Sequence, residues 1–227
     1  MALNAKKIKN VAAGPKQPHM EAGTYPCRLV QIVDLGIQDQ RAFDGQAKPP
    51  CQTLRCVWEF TDEFCVDDKG NEQLDKPRWL KDEFPFRSLD LDLATSTKRY
   101  KALDPEDKFD GDFTQLLGQA ANVTVVNKEG KGKNAGNIYN NIGAVTAMRK
   151  RDADKCAPLV NPATLFVVDE PDMAVFNSLP DWLQDIIKAN HDYSGSELEG
   201  LITGKKEPKP KAKEAPAYDE DVADAPW

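Results

Sequence analysis

DKPRWLKDEFPFRSLDLDLATSTKRYKALDP, residues 75–105, changes its periodicity midway. Arg78 to Phe86 reads as a short strand. From Ser88 to Leu103 the pattern is that of a helix, with Ser88 able to cap it and Asp90 and Asp92 in the first turn. Lys98, Arg99 and Lys101 fall in the last turn, where cations complement the helix dipole, and Asp104-Pro105 stops it. A strand running into a helix at this point organises everything on either side.

Two strands are expected upstream. Order should begin near Gly23, and from there Tyr25, Cys27, Leu29, Gln31 and Val33 alternate with Arg28, Val30, Ile32 and Asp34. Apolar residues on both faces suit a long, curved strand buried on one side and partly covered on the other, and Gly36 ends or bends it. Residues 37–50 form a polar loop with the turn signals Asp44-Gly45 and Pro49-Pro50. The second strand alternates Leu54, Cys56, Trp58 and Phe60 with Thr53, Arg55, Val57 and Glu59, and residues 67–77 read as a loop. Trp58, Phe60 and Phe84 are expected in the core.

Downstream, Phe113 to Leu117 reads as a helical turn closed by Gly118. Val123–Val126 and Ile138–Val145 read as two strands joined by the Gly- and Lys-rich NKEGKGKNAGN. A basic stretch at 148–155 and a strand-like run at Leu165–Val168 follow. Two helical segments then part near Pro180, and Trp182, Leu183, Ile186 and Ile187 recur at a spacing that should pack them on the body. The order strand, strand, strand, helix, strand, strand is that of an OB fold. The expectation is a mainly β chain with added helices (α+β): a five-stranded barrel, a helix between strands 3 and 4, and C-terminal helices. Residues 1–20 read as a flexible basic arm, 21–200 as the domain with its helical extension, and 201–227 as a disordered linker and tip.

Composition narrows the function. The chain has 227 residues, 40% of them hydrophobic, and no apolar run approaches a membrane span or a secretory signal, so a soluble cytoplasmic protein is expected. Five cysteines (Cys27, Cys51, Cys56, Cys65, Cys156) are an odd number without a Cys-x2-Cys pair, and the histidines are His19 and His191 alone. Neither a disulfide framework nor a zinc site is expected, and Cys56 reads as a small buried hydrophobe. Walker loops, Gly-x-Ser-x-Gly elbows and His-Glu-x-x-His motifs are missing from the sequence, so no enzyme and no cofactor is expected. Asp67-Asp68 and Asp90-x-Asp92 are better explained by a loop and a helix start than by Mg2+.

The net charge is −7, which argues against a generic nucleic-acid binder, but the charge is uneven. Asp219, Glu220, Asp221 and Asp224 supply four of the negative charges at the extreme C-terminus. Lys6, Lys7, Lys9 and Lys16 stand without an acid in the first twenty residues. A binder of single strands needs a local cationic groove and aromatic faces on which bases stack. The groove candidates are Lys128, Lys131 and Lys133 in the hairpin loop, Lys98, Arg99 and Lys101 in the helix, and Arg41 in the first loop. The stacking candidates are Phe43, Trp79, Tyr100 and Tyr139.

The tail carries a separate signal. KKEPKPKAKEAPA (205–217) alternates Lys and Pro with almost nothing to bury, and the acidic run after it ends on Pro226-Trp227. A partner could hold the terminal indole in an apolar pocket while basic side chains take the carboxylates. This tip resembles that of bacterial and phage single-stranded-DNA-binding proteins, which end in an acidic run followed by Pro-Phe or Phe. Here Trp replaces the Phe.

The segments GTYPCRLVQIVDLG (23–36), DKPRWLKDEFPFRSLDLDLATSTKRYKALDP (75–105) and LLGQAANVTVVNKEGKGKNAGNIYNNIGAV (116–145) resemble a family of tailed-phage proteins taken to be OB-fold single-stranded-DNA-binding proteins. The resemblance covers roughly residues 20 to 190 and the tail type. It implies a protein that coats and protects single-stranded DNA during phage replication or recombination, without sequence specificity. Replication or recombination proteins would be recruited through the tip, and a homo-oligomer is compatible with this role. Two other readings remain: a single-strand annealing recombinase, and a protein-binding adaptor or DNA-mimic inhibitor of a host enzyme.

Overall fold

The computed structural model describes residues 17–42 and 44–204. Strands β1 (Gly23–Gln38), β2 (Cys51–Val66) and β3 (Glu72–Pro85) form an antiparallel meander. Helix α1 (Thr95–Leu103) and a 3-10 turn at Phe113–Leu116 lead to the antiparallel hairpin of β4 (Ala120–Glu129) and β5 (Ile138–Ala147). A short helix α2 (Lys150–Ala153) precedes β6 (Thr164–Phe166), which runs parallel to β1. Helices α3 (Met173–Ser178), α4 (Asp181–Lys188) and α5 (Glu197–Thr203) complete the described chain. The α+β expectation holds.

The strands do not close into the expected five-stranded barrel. The sheet has six strands, in the order β3-β2-β1-β4-β5 with β6 beside β1, and it is open: β3 and β5 are its edges. Helix α1 packs against both edge strands, so the gap between them is filled from one side by a helix rather than by ladder hydrogen bonds.

Two cores hang on β1. On one face Leu54, Cys56, Trp58 and Phe60 of β2 meet Cys27, Leu29, Ile32, Val123, Val125 and the ring of Tyr100. On the other, Val33 and Leu35 meet Phe166, Phe176, Leu183, Ile187 and Leu198. Strict alternation would have put Leu29, Gln31 and Val33 on one face. A bulge between Leu29 and Gln31 resets the parity, so Ile32 joins the first core and Val33 the second. At Gly36 the backbone is left-handed (φ +73°) and a Cβ would lie 2.6 Å from Cγ of Asn190, so only glycine lets β1 bend there under residue 190.

Helix α1 starts at Thr95 rather than Ser88. The Ser88 hydroxyl donates to Asp90 Oδ2 and accepts from the Asp90 N–H, while the Ser96 hydroxyl bonds both the N–H and the carbonyl of Arg87. These side-chain bonds hold 88–94 in turns and compete with helix formation. Strand β3, by contrast, begins six residues earlier than Arg78, because Asp67 alone closes the turn by accepting the N–H groups of Lys69 and Asn71.

Residues 17–20, expected in the flexible arm, are fastened to the sheet. The Gln17 side-chain amide donates to Val66 O at 3.0 Å and accepts from Val66 N at 2.8 Å. Three residues on, Asn140 Oδ1 accepts the Met20 N–H at 3.0 Å, and Asn140 Nδ2 donates to Met20 O at 2.9 Å. Side-chain amides thus take the place of ladder bonds at both ends of a strap from the β2 terminus to β5. Met20 is buried in the first core.

Candidate nucleic-acid interface

The β4–β5 hairpin tip is an ordered turn. Gly130 N–H donates to Asn137 O at 2.8 Å, Gly136 N–H donates to Glu129 Oε1 at 3.1 Å, and residues Gly132–Asn134 make one 3-10 turn. Lys128, Lys131 and Lys133 are all exposed on it, and among the described residues no carboxylate forms an ion pair with any of them. Lys128 is the register partner of Tyr139, a residue 45% exposed. Gly130 makes room for the Tyr139 ring: a Cβ there would lie 2.9 Å from Tyr139 Cε2.

Tyr139 opens onto a cavity of about 550 Å3 at the gap between the edge strands, lined by residues 136–140, Leu80 of β3 and His19 of the strap. From Gln17 to Met20 the four-residue strap spans three steps, roughly 10 Å, so the β2–β3 turn and the β4–β5 hairpin lie at the same end of the molecule. Their charges differ. The β2–β3 turn region exposes Asp68, Glu72 and Asp75 beside Lys69 and Lys76, so positive charge is concentrated on the β4–β5 side.

The helix candidates divide. Tyr100 is 2% exposed and packs against Phe113, its hydroxyl donating to Asp104 Oδ2 at 3.1 Å and accepting the Gly111 N–H at 2.7 Å. Burial first, then the hydrogen bonds to Asp107 and Asp104, push its phenol up to about 12. Arg99 is also buried, with Nε donating to Asp82 Oδ2 at 2.7 Å, while Asp82 Oδ1 accepts the Trp58 indole N–H at 2.9 Å. Both are core residues, which corrects the expectation that they face nucleotide. Lys98 and Lys101 remain exposed, and Lys101 pairs with Asp92.

Arg41 is exposed in the β1–β2 loop. That loop follows Gln38, whereas β4 pairs with Gly23–Arg28 at the opposite end of β1, so Arg41 is not brought beside the lysine hairpin. Phe43 lies outside the described residues, as do Asp219, Glu220, Asp221, Asp224, Pro226 and Trp227 of the tip.

Trp79 is 45% exposed as expected, but on the opposite face of β3 from Leu80 and the cavity. Its indole N–H donates to Glu59 Oε2 at 3.0 Å. Three residues on this face were not among the site candidates read from the sequence: Lys81, Arg55 and Trp182. The Arg55 guanidinium lies 4.9 Å and the Lys81 ammonium 5.9 Å from the Trp182 ring centroid. Both cations pair with Glu83, whose carboxyl sits below its ordinary range: burial alone would raise it, and the bonds from Lys81 and Arg55 more than offset that.

Among the described residues, no three metal-binding side chains cluster in a way that could hold an ion, and no helix is long and apolar enough to cross a membrane. No protein-family model matches the chain, and no curated protein matches it.

Proposed function

We propose that this chain binds single-stranded DNA without sequence preference and that its sheet is an opened OB-type barrel. Support for the barrel reading comes from the strand order β3-β2-β1-β4-β5 and from the helix between the third and fourth strands. In that reading α1 and the strap stand in for the missing β3–β5 ladder. The observation that carries the binding reading is the ordered β4–β5 tip, where three exposed lysines without an ion-pair partner among the described residues share one hairpin with an exposed tyrosine that lines an open cavity. Lysines would track phosphates while Tyr139 offers a face to a base, the two ingredients of sequence-tolerant single-strand binding. Protection of single strands during replication or recombination, in the host cytoplasm and with partners recruited through the acidic tip, follows from the resemblance of the segments and the tail.

Lys131→Glu with Lys133→Glu tests this. Affinity for a fluorescent oligo-dT should fall, and the log–log salt dependence should flatten by about 1.4, at about 0.7 for each phosphate no longer neutralised. An unchanged affinity and slope would remove the hairpin from the site.

A further inference from the structure

The outer face of β2 and β3 carries a second surface of the same chemistry. Alternation puts Arg55, Val57 and Glu59 of β2 on this face, opposite Glu83, Lys81 and Trp79 of β3. Helix α4 buries Leu183 and Ile187 in the second core and turns Trp182 outward over Arg55 and Lys81, leaving it 48% exposed. Trp79 stands two residues before Lys81 on the same face of β3, and the Trp182 ring lies 5.9 Å from the Lys81 ammonium, so two half-exposed indoles share this face. Large aromatic side chains left in solvent on one face mark a contact surface.

Glu59 fixes one end of it. The residue is 1% exposed, and no cation pairs with its carboxylate among the described residues. Instead Oε2 accepts the Trp79 indole N–H at 3.0 Å and Asn161 Nδ2 at 2.7 Å, and Oε1 accepts Val160 N–H at 2.6 Å. A buried carboxylate satisfied in this way locks the indole in one orientation and ties it to the segment after α2. The C-terminal extension thus does two things at this face: it supplies Trp182, and through residues 160–161 it helps hold the acceptor for Trp79.

We propose that Trp79 and Trp182 are stacking platforms for bases of a single-stranded oligonucleotide, with Glu59 as a positioning residue for Trp79. A hydrogen-bonded Trp79 indole and a Trp182 indole lying against two cations fit bases better than an apolar helix, since Val57 between them on this face is buried and offers no aliphatic stripe. This inference rests on the single-strand-binding reading above.

The test is oligo-dT affinity of the full chain carrying Trp79→Ala, Trp182→Ala or Trp182→Phe. Each alanine should weaken binding about five- to 100-fold without changing the salt slope, and Trp182→Phe should recover part of the loss. Glu59→Gln should weaken binding in the parent but add nothing in the Trp79→Ala background; equal losses in both backgrounds would make Glu59 merely structural. If the parent binds oligo-dT, the lysine reversals weaken it, and Trp182→Ala and Trp79→Ala stay within about twofold, the platform is refuted while the hairpin site stands. If the parent binds no oligo-dT, both fall together.

Discussion

Asn140→Ala tests how the open edge of the sheet is held. Asn140 accepts the Met20 N–H at 3.0 Å and donates both to Met20 O at 2.9 Å and to Asn127 Oδ1 at 2.6 Å. After truncation Met20 O keeps a 3.3 Å bond from Asn127 Nδ2, but the Met20 N–H, on a residue 3% exposed, has no acceptor left. A buried donor without a partner costs about 1–3 kcal/mol. Peeling the strap away to let water in would instead give up the burial of the Met20 side chain, about 1.5–3 kcal/mol. The two routes cost nearly the same, so the loss should settle near 2 kcal/mol, a large share of a typical 5–15 kcal/mol stability. Urea unfolding of the variant beside the parent measures it, and amide exchange at Met20 should quicken along with it. A loss below about 0.5 kcal/mol, with the Met20 amide still protected, would refute the strap as a structural closure.

Tyr100→Phe should destabilise by about 1–3 kcal/mol in the same assay, because the Gly111 N–H loses its acceptor, and should leave oligo-dT affinity unchanged. Asp104 is held below the ordinary aspartate range: burial would raise it, but the N–H groups of Lys108 and Phe109 and the Tyr100 hydroxyl more than offset this. A lowered folded value means stability that is present above the unfolded value and lost as the pH falls through the folded one. The acid limb of the melting temperature, below about pH 4, should therefore be shallower in Asp104→Asn. Deleting residues 218–227 removes four carboxylates and should raise oligo-dT affinity, most at low salt where screening is weak. Trp227→Ala should leave that affinity nearly unchanged while abolishing capture of a replication partner in a pull-down from infected cells.

The β2 strand was legible because its large apolar residues fall at every second position, and the hairpin was legible because glycines and lysines interrupt two apolar runs. The start of β3 was not. Its first residues, EQLDKP, are charged and include Pro77, a composition an edge strand tolerates and a loop shares. Arg99 and Tyr100 were misread for a different reason. A basic and aromatic run on a nine-residue helix has the same sequence whichever side faces the core, and the side was decided by Asp82, seventeen positions earlier on β3. The same ambiguity hid Trp182: helical spacing grouped it with Leu183 and Ile187, but those two face the second core while Trp182 faces β3. Glu59 looked like the polar half of an alternating strand, and nothing local announced that a segment a hundred residues later would bury it.

Binding of the full chain to a labelled oligo-dT, against a duplex of equal length at low and at moderate salt, tests the central claim most directly. The account predicts tighter binding to the single strand than to the duplex, weakening as salt rises with a slope of about −0.7 per phosphate neutralised. Equal affinity for both forms, or no binding at low salt, would contradict it.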